Sequence, residues 1–204
     1  GPRLTRIGVL ALQGDFAEHL DVLRSLGGEP REIRKAEHFD GLDGLIIPGG
    51  ESTTIVKLMD TYGIGEAIWK AHSRGMSVWG TCAGMIVVAR ELTDPYPSPL
   101  GLIDIAVSRN WFGRQIDSFE IDLRFTGIDN DPFRAVFIRA PVIESCGPNV
   151  EVLARVEGSS AVAARSNTVL VTAFHPELTE DSRVHQYFLR MASIQTAAHS
   201  QDQI

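Results

Sequence analysis

The chain has 204 residues, 44% of them hydrophobic and 22% charged, with a net charge of −7. That length suits one domain around one sizeable core, and the acidic balance speaks against a general grip on nucleic acid or anchorage on anionic lipid. No apolar run approaches the roughly 20 residues that span a bilayer.

No secretory signal pattern opens the sequence. Its two cysteines, Cys82 and Cys146, lack a CxxC partner or a zinc-ligand spacing and would make a thin disulfide framework. A reducing, cytoplasmic setting is therefore expected, with Cys146 a buried bystander and no metal or cofactor required.

In chain order, Arg6 to Leu12 is a short apolar run that reads as a buried strand. Phe16, Leu20, Leu23 and Leu26 then recur at helical spacing, and Gly27-Gly28 stops that helix. Gly44 to Pro48 is a second buried strand followed by Gly49-Gly50, with Ser52 or Thr53 placed to cap a helix carrying Ile55, Val56, Leu58 and Met59. Ile64 to Ser73 predicts another helix with Ile68 and Trp69 inward, Met76 to Trp79 a strand, and Ala83 to Leu92 a helix. Alternating apolar strands and helices imply a parallel sheet covered on both faces.

The second half reads differently. After a surface loop, Asp94 to Pro99, the residues Phe119, Ile121, Leu123 and Phe125 alternate with charged neighbours, as in a half-exposed strand. Ala135 to Ile138, Val150 to Val156, Ala161 to Ala164 and Val169 to Phe174 are further strands, and Asp181 to Ala198 closes the chain as an amphipathic helix. The expected fold is one α/β domain over 1–204, a three-layer α/β/α arrangement. Its central sheet is mostly parallel with antiparallel additions, and its ends, 1–5 and 195–204, are flexible.

One stretch asks for chemistry. VWGTCAGMI places Cys82 between Gly80 and Gly84, after a strand and before a helix. Gly-x-Cys-x-Gly in that setting has the form of a nucleophile elbow, a sharp turn where side chains at −2 and +2 would collide. The following helix points its positive end at the sulfur and favours the thiolate. The backbone N–H of Ala83 is then available to a developing oxyanion. The same pattern also suits a buried cysteine in a tight turn.

A thiol nucleophile wants a base. His19, His38, His72, His185 and His199 lie in or near polar helical or loop stretches and read as surface or packing residues. His175 follows an apolar strand and begins His175-Pro176-Glu177. Residues two apart in an extended segment face the same side, so Glu177 can reach back to one imidazole nitrogen while the other meets a thiol. Taken alone, His-Pro-Glu reads sooner as a turn with a capping acid. The third piece, PGGESTT from Pro48 to Thr54, lacks the Gly-Lys-Ser/Thr of a phosphate loop. It reads as a second oxyanion donor and part of a substrate cradle, or else as a simple turn and helix cap.

Together and in this order, these pieces resemble the triad-type (class I) glutamine amidotransferase domain. The resemblance is narrower still to the glutaminase subunits of pyridoxal 5′-phosphate synthases. It is carried by IGVLALQGDFAEHL, GLIIPGGESTT, WGTCAGM, RNWFGRQIDSFE, VFIRAP and FHPELTEDSRVHQYF, over residues 6 to 192.

The resemblance implies hydrolysis of L-glutamine to L-glutamate and ammonia by Cys82 as nucleophile, His175 as base and Glu177 as its orienter. It implies a TIM-barrel synthase subunit as partner, with pyridoxal 5′-phosphate the product of the complex and not a cofactor of this chain. Gly50, Glu51 and Ser52, together with Arg109, Ile138 and Arg139, fall on the family's glutamine-binding positions. Gly50 and Ala83 fall on its oxyanion hole, and Gln13 lies near the site and the partner interface. Met85, the Asp94 to Pro99 loop and the tail after Ala192 are this chain's own. Two rival readings use the same residues: a cysteine peptidase on the same elbow, and a regulatory subunit that makes no ammonia.

Overall fold

Three buried strands from the first half and one from near the C-terminus frame the core of the computed structural model, which describes residues 4–94, 97–109, 118–128, 132–156 and 160–202. In chain order the first half carries β1 (Ile7–Leu10), α1 (Phe16–Ser25), β2 (Arg31–Ile33), β3 (Gly44–Ile47), α2 (Ser52–Tyr62), α3 (Ile64–Ser73), β4 (Ser77–Thr81) and α4 (Ala83–Val88). The second carries β5 (Ala89–Leu92), β6 (Ile103–Ser108), β7 (Ser118–Leu123), β8 (Phe133–Ile138), β9 (Val142–Cys146), β10 (Glu151–Arg155), β11 (Ala161–Ser166), β12 (Val169–Thr172) and α5 (Arg183–Asp202).

The main sheet runs β2-β1-β3-β4-β12-β11-β9-β6-β5, with β10 paired to β11, and β7-β8 form a separate hairpin sheet. From β2 to β12 every neighbouring pair is parallel. Beyond β12 the pairs with β11, β9 and β6 are antiparallel, and only β5 and β6 return to parallel. The α/β expectation of a mostly parallel centre with antiparallel additions is what the chain forms.

Trp79 and Gly80 tell which helices lie on which face. Trp79 packs its ring against His19 of α1 and against His185 and Phe188 of α5. Its neighbour Gly80 points to the opposite face of the strand, and a side chain there would collide with the Gly84 carbonyl of α4. Thus α1 and α5 cover one face and α4 the other, with α2 packed on α4 and α3 on α2. The sheet between them holds the core; Leu45, Ile46, Ile47, Val78, Trp79, Leu170 and Val171 are fully buried. Each such large apolar side chain contributes about 1.5–3 kcal/mol relative to exposure.

Several expectations need correction. The helix predicted over Ala83 to Leu92 ends at Val88, and Ala89–Leu92 is a strand. Ala89 turns to an extended conformation, and the segment Leu100–Leu102 returns beside it. There Leu100, Gly101 and Leu102 donate to the Val87, Ala89 and Val88 carbonyls at 2.7, 2.9 and 2.8 Å. Those bonds take the carbonyl groups that a longer helix would have used.

Trp69, expected inward, is 47% exposed, because the buried stripe of α3 runs through Ile64, Ile68 and Ala71. The closing helix starts at Arg183, after Asp181 has bonded the Arg183 N–H and guanidinium. Of the segment RNWFGRQIDSFE, Asn110 to Asp117 lie outside the described residues, as do Pro95 and Tyr96 of the expected surface loop. No described helix is long and apolar enough to cross a membrane.

Candidate active site

The C-terminal ends of β1, β3, β4 and β12, four adjacent parallel strands, deliver Asp15, Gly49, Cys82 and His175 to one place. Open α/β sheets gather ligands at that edge because the strand-to-helix turns converge there.

Cys82 sits at the tip of the β4–α4 turn with φ 54° and ψ −111°. A non-glycine residue in such a conformation costs on the order of 1–3 kcal/mol, which the surroundings must offset. They do so with a bond from the Cys82 N–H to the Thr172 carbonyl at 2.8 Å, and one from the Met85 N–H to the Cys82 carbonyl at 3.0 Å. The steric reading of the elbow holds, since a Cβ on Gly84 would collide with the Ile47 carbonyl and one on Gly80 with the Gly84 carbonyl. The side chain is 6% exposed, and as a thiol it donates to the Ile138 carbonyl at 3.7 Å.

His175 is placed by its own backbone, whose N–H donates to the Val136 carbonyl of β8 at 2.8 Å. Its Nδ1 lies 2.7 Å from Glu177 Oε2, the predicted orientation, and 3.3 Å from Asp15 Oδ2. With Nδ1 so occupied, Nε2 is the nitrogen left for the thiol. The ring and the thiol meet across Gly49: a Cβ added there would stand 2.6 Å from His175 Cε1 and 3.3 Å from Cys82 Cβ. Burial lowers the imidazole's pKa, but the bonds to Asp15, Cys82 and Glu177 outweigh it, and the group is pushed up to about 12. Burial pushes the Glu177 carboxyl up as well, against the lowering pull of His175.

The PGGESTT turn joins this centre through its backbone. The Gly49 carbonyl accepts from the Asp15 N–H at 2.9 Å, and the Glu51 N–H donates to Gln13 Oε1 at 2.8 Å. Neither Ser52 nor Thr53 caps α2. The cap is Glu51, whose carboxylate accepts from the Thr53 and Thr54 N–H groups at 3.2 and 2.7 Å and is held below its usual pKa, chiefly by the Thr54 hydroxyl. An acid serves better here because it bonds two of the orphan N–H groups and complements the helix dipole. Ser52 is buried as the first residue of the helix.

Arg109 reaches this loop, with Nη2 donating to Thr53 Oγ1 at 2.9 Å. Ile138, at the end of β8, offers its carbonyl to the thiol. Arg139 follows it in a left-handed turn with φ 45°. Gln13 and Arg109 thus bond the segment that contains Gly50, Glu51 and Ser52, and Ile138, with Arg139 next in the chain, meets the elbow, while Cys146 lies on β9, half-buried and unbridged.

Three residues were missed by the sequence reading. Asp15 sits two positions after Gln13 at the exit of β1, where a carboxylate at a parallel-strand end was the available signal. His19, in the first turn of α1, is fully buried, as is His185. His19 Nε2 lies 3.5 Å from Glu177 Oε1, and its Nδ1 lies 2.9 Å from His185 Nε2. The sequence places both as surface or packing residues; they pack, with His19 beside Glu177 and His185 beside His19. Among the described residues, Asp15, His175 and Glu177 also present ligand-type atoms within 4.8 Å of one another, and the His175–Glu177 bond already engages two of those atoms.

Residues 9–194 match the SNO glutamine amidotransferase family. The chain is 54% identical over 189 residues to the pyridoxal 5′-phosphate synthase subunit PdxT of Dehalococcoides mccartyi, covering 92% of this chain and 97% of that one. To PdxT of Thermus thermophilus it is 52% identical over 190 residues, covering 92% and 98%. A crystal structure described as a glutamine amidotransferase superposes with a TM-score of 0.86 at 52% identity, covering 91% of this chain and 98% of that one. The structure of PurLQS from Thermotoga maritima, at 16% identity and a TM-score of 0.62 over 98% of this chain and all of that one, shares the fold.

Proposed function

The chain belongs to the SNO glutamine amidotransferase family. On that premise we propose that it hydrolyses L-glutamine to L-glutamate and ammonia through Cys82, His175 and Glu177. The ammonia passes to a separate synthase subunit that builds pyridoxal 5′-phosphate. The relatives named as pyridoxal 5′-phosphate synthase subunits support the product. The observation that carries the chemistry is the meeting of the strained Cys82 and the carboxylate-held His175 across Gly49.

The cycle begins with Cys82 as thiolate and His175 as imidazolium. The sulfur attacks the side-chain amide carbon of glutamine, and the C=O π electrons move to oxygen. The N–H of Ala83, first in α4 and so without an intrahelical acceptor, receives that oxyanion together with the Gly50 N–H. His175 gives its proton to the amide nitrogen, the C–N bond breaks, and ammonia leaves a thioester on Cys82. His175, now neutral, takes a proton from water; the hydroxide adds to the thioester, and glutamate departs as the thiolate returns. Glu177 balances the imidazolium throughout.

The Gly49–Gly50 peptide is the adjustable part. Its carbonyl is bonded to Asp15 N–H, and glycine on both sides makes rotation of the peptide cheap. An oxyanion donor is worth about 3 kcal/mol of barrier, on the order of a hundredfold in rate. Docking of the TIM-barrel partner beside Gln13 is therefore placed to switch the rate. Arg109 and Arg139 read the α-carboxylate of glutamine or shape its pocket.

The test is glutamate release from glutamine, with and without the synthase subunit, in wild type and Cys82→Ala. Release is expected from wild type, faster with the partner, and lower by about four orders of magnitude in the variant. Equal rates in the two proteins would overturn the reading.

A further inference from the structure

Beyond the three residues that do the chemistry, the molecule buries a polar pair with no evident structural need for it. His19 and His185 are both fully buried between the sheet and its α1–α5 face, edge-on to Trp79 at ring separations of 5.6 and 4.7 Å. An apolar pair would fill that space without desolvating four ring nitrogens. Among the buried polar atoms of the described residues that lack a hydrogen-bond partner are His19 Nε2 and Glu177 Oε1. These two orphans face each other at 3.5 Å.

The proton positions follow from the contacts. Burial, then the neighbouring His185 and His175, hold the His19 pKa well below its usual value, so the ring is neutral and carries one N–H. If that hydrogen sat on Nδ1, a lone pair on Nε2 would confront the lone pairs of a carboxylate oxygen. On Nε2 it points at Glu177 Oε1, and Nδ1 accepts from His185 Nε2–H across their 2.9 Å bond. His185 Nδ1 is then a buried lone pair, cheaper to leave unpaired than an N–H.

Resting on the proposed triad, we infer that His19 is a positioning residue for the reaction: its Nε2–H holds the second oxygen of Glu177, so that the first stays aimed at His175 Nδ1. The carboxylate is gripped at both ends, by His175 on Oε2 and by His19 on Oε1. It is less free to rotate, and it takes up a proton less readily than the same buried carboxylate would without the His19 donor. The titratable groups that face this point are Glu177 and His175 from the exit of β12, Asp15 from the exit of β1 through His175, and His185 from α5.

The experiment compares wild type, His19→Leu and His19→Gln in glutamate release with the synthase subunit present, following kcat, KM and the pH profile. His19→Leu loses the donor. Its kcat is expected to fall about ten- to a hundredfold, the worth of a hydrogen bond to a buried charge, with KM for glutamine little moved. The acid limb of the kcat profile shifts to higher pH, because an ungripped Glu177 protonates more easily. His19→Gln places an amide N–H near the same spot and recovers most of both effects. A merely structural histidine would give neither the pH shift nor the rescue by Gln.

The ring proton of His19 can also be read in the intact wild-type protein by nitrogen-15 NMR of labelled histidines, which decides the matter even if His19→Leu does not fold. An Nε2–H tautomer is expected; an Nδ1–H tautomer, or a His19→Leu variant with wild-type kcat and an unmoved acid limb, would overturn the inference. Loss of Cys82 dependence in the wild-type comparison would instead strike the proposed function itself.

Discussion

The parallel part of the main sheet and the separate β7–β8 hairpin are built to different ends. Strands β1, β3, β4 and β12 are buried at every position, whereas β8 alternates buried with exposed and β7 is mostly open. Every group assigned to bond-making comes from the buried, parallel side, where helices on both faces fix the strand ends. The hairpin contributes backbone, the carbonyls of Val136 and Ile138 that hold His175 and meet Cys82. The difference teaches a division of labour. Groups that must keep sub-ångström geometry sit on strands with no solvent-facing side, and the half-exposed hairpin closes over them.

That division can be broken most severely at Gly49. In Gly49→Ala the new methyl would meet His175 at 2.6 Å and Cys82 at 3.3 Å, and displacing either by about 1 Å costs on the order of a hundredfold in rate. Glutamate release is expected to fall by that factor while circular dichroism and thermal unfolding change little. An active Gly49→Ala would mean that the two side chains do not need this contact.

The pH dependence of stability sharpens the contrast, because the strongly shifted histidines all belong to the parallel side. His175 is raised from 6.5 to about 12. Its contribution is fully present below the unfolded value and drains away as pH rises through the folded one. Across the alkaline range wild type should lose stability more steeply than His175→Asn. His185 is lowered from 6.5 to about 3, and its contribution is present above the unfolded value and lost as pH falls through the folded one. Between those two values His185→Phe should lose stability less steeply than wild type. Thermal melts across both ranges check the two slopes, and parallel slopes in variant and wild type would contradict them.

On the other side of the molecule the expected effect is smallest. Arg134 of β8 pairs with Asp122 of β7 at 3.2 Å, with the side chains 56% and 59% exposed. Such a pair is worth about 0.2–1 kcal/mol and less in salt. Arg134→Ala should therefore shift unfolding by at most that amount and leave glutamate release unchanged. A large loss of activity would show that the hairpin does more than close over the site.

What the sequence revealed follows the same line. The buried strands announce themselves as continuous apolar runs, and the elbow announces itself because two glycines flanking a cysteine have a steric meaning that needs no neighbours. His175 and Glu177 were legible from their spacing. The four strands that went unread, β2, β5, β6 and β9, are short, partly exposed or, like Ala89–Leu92, joined to a helix whose end depends on the returning Leu100–Leu102 segment. No local pattern encodes that contact. Asp15 and His19 were missed for a related reason: their significance lies in what β12 brings to them from far along the chain. Trp69 misled because adjacency to Ile68 is not membership of its helical stripe.

The central claim is that Cys82 forms a covalent bond to the glutamine side chain. Incubating the protein and its synthase partner with glutamine, quenching in acid and mapping the digested peptides by mass spectrometry tests it directly. A glutamyl adduct on the peptide carrying Cys82, absent in Cys82→Ala and also in His175→Asn, which lacks the acid that lets the amide nitrogen leave, is the predicted result. Glutamate release from wild type with no adduct on Cys82, or with an adduct on Cys146, would contradict the account.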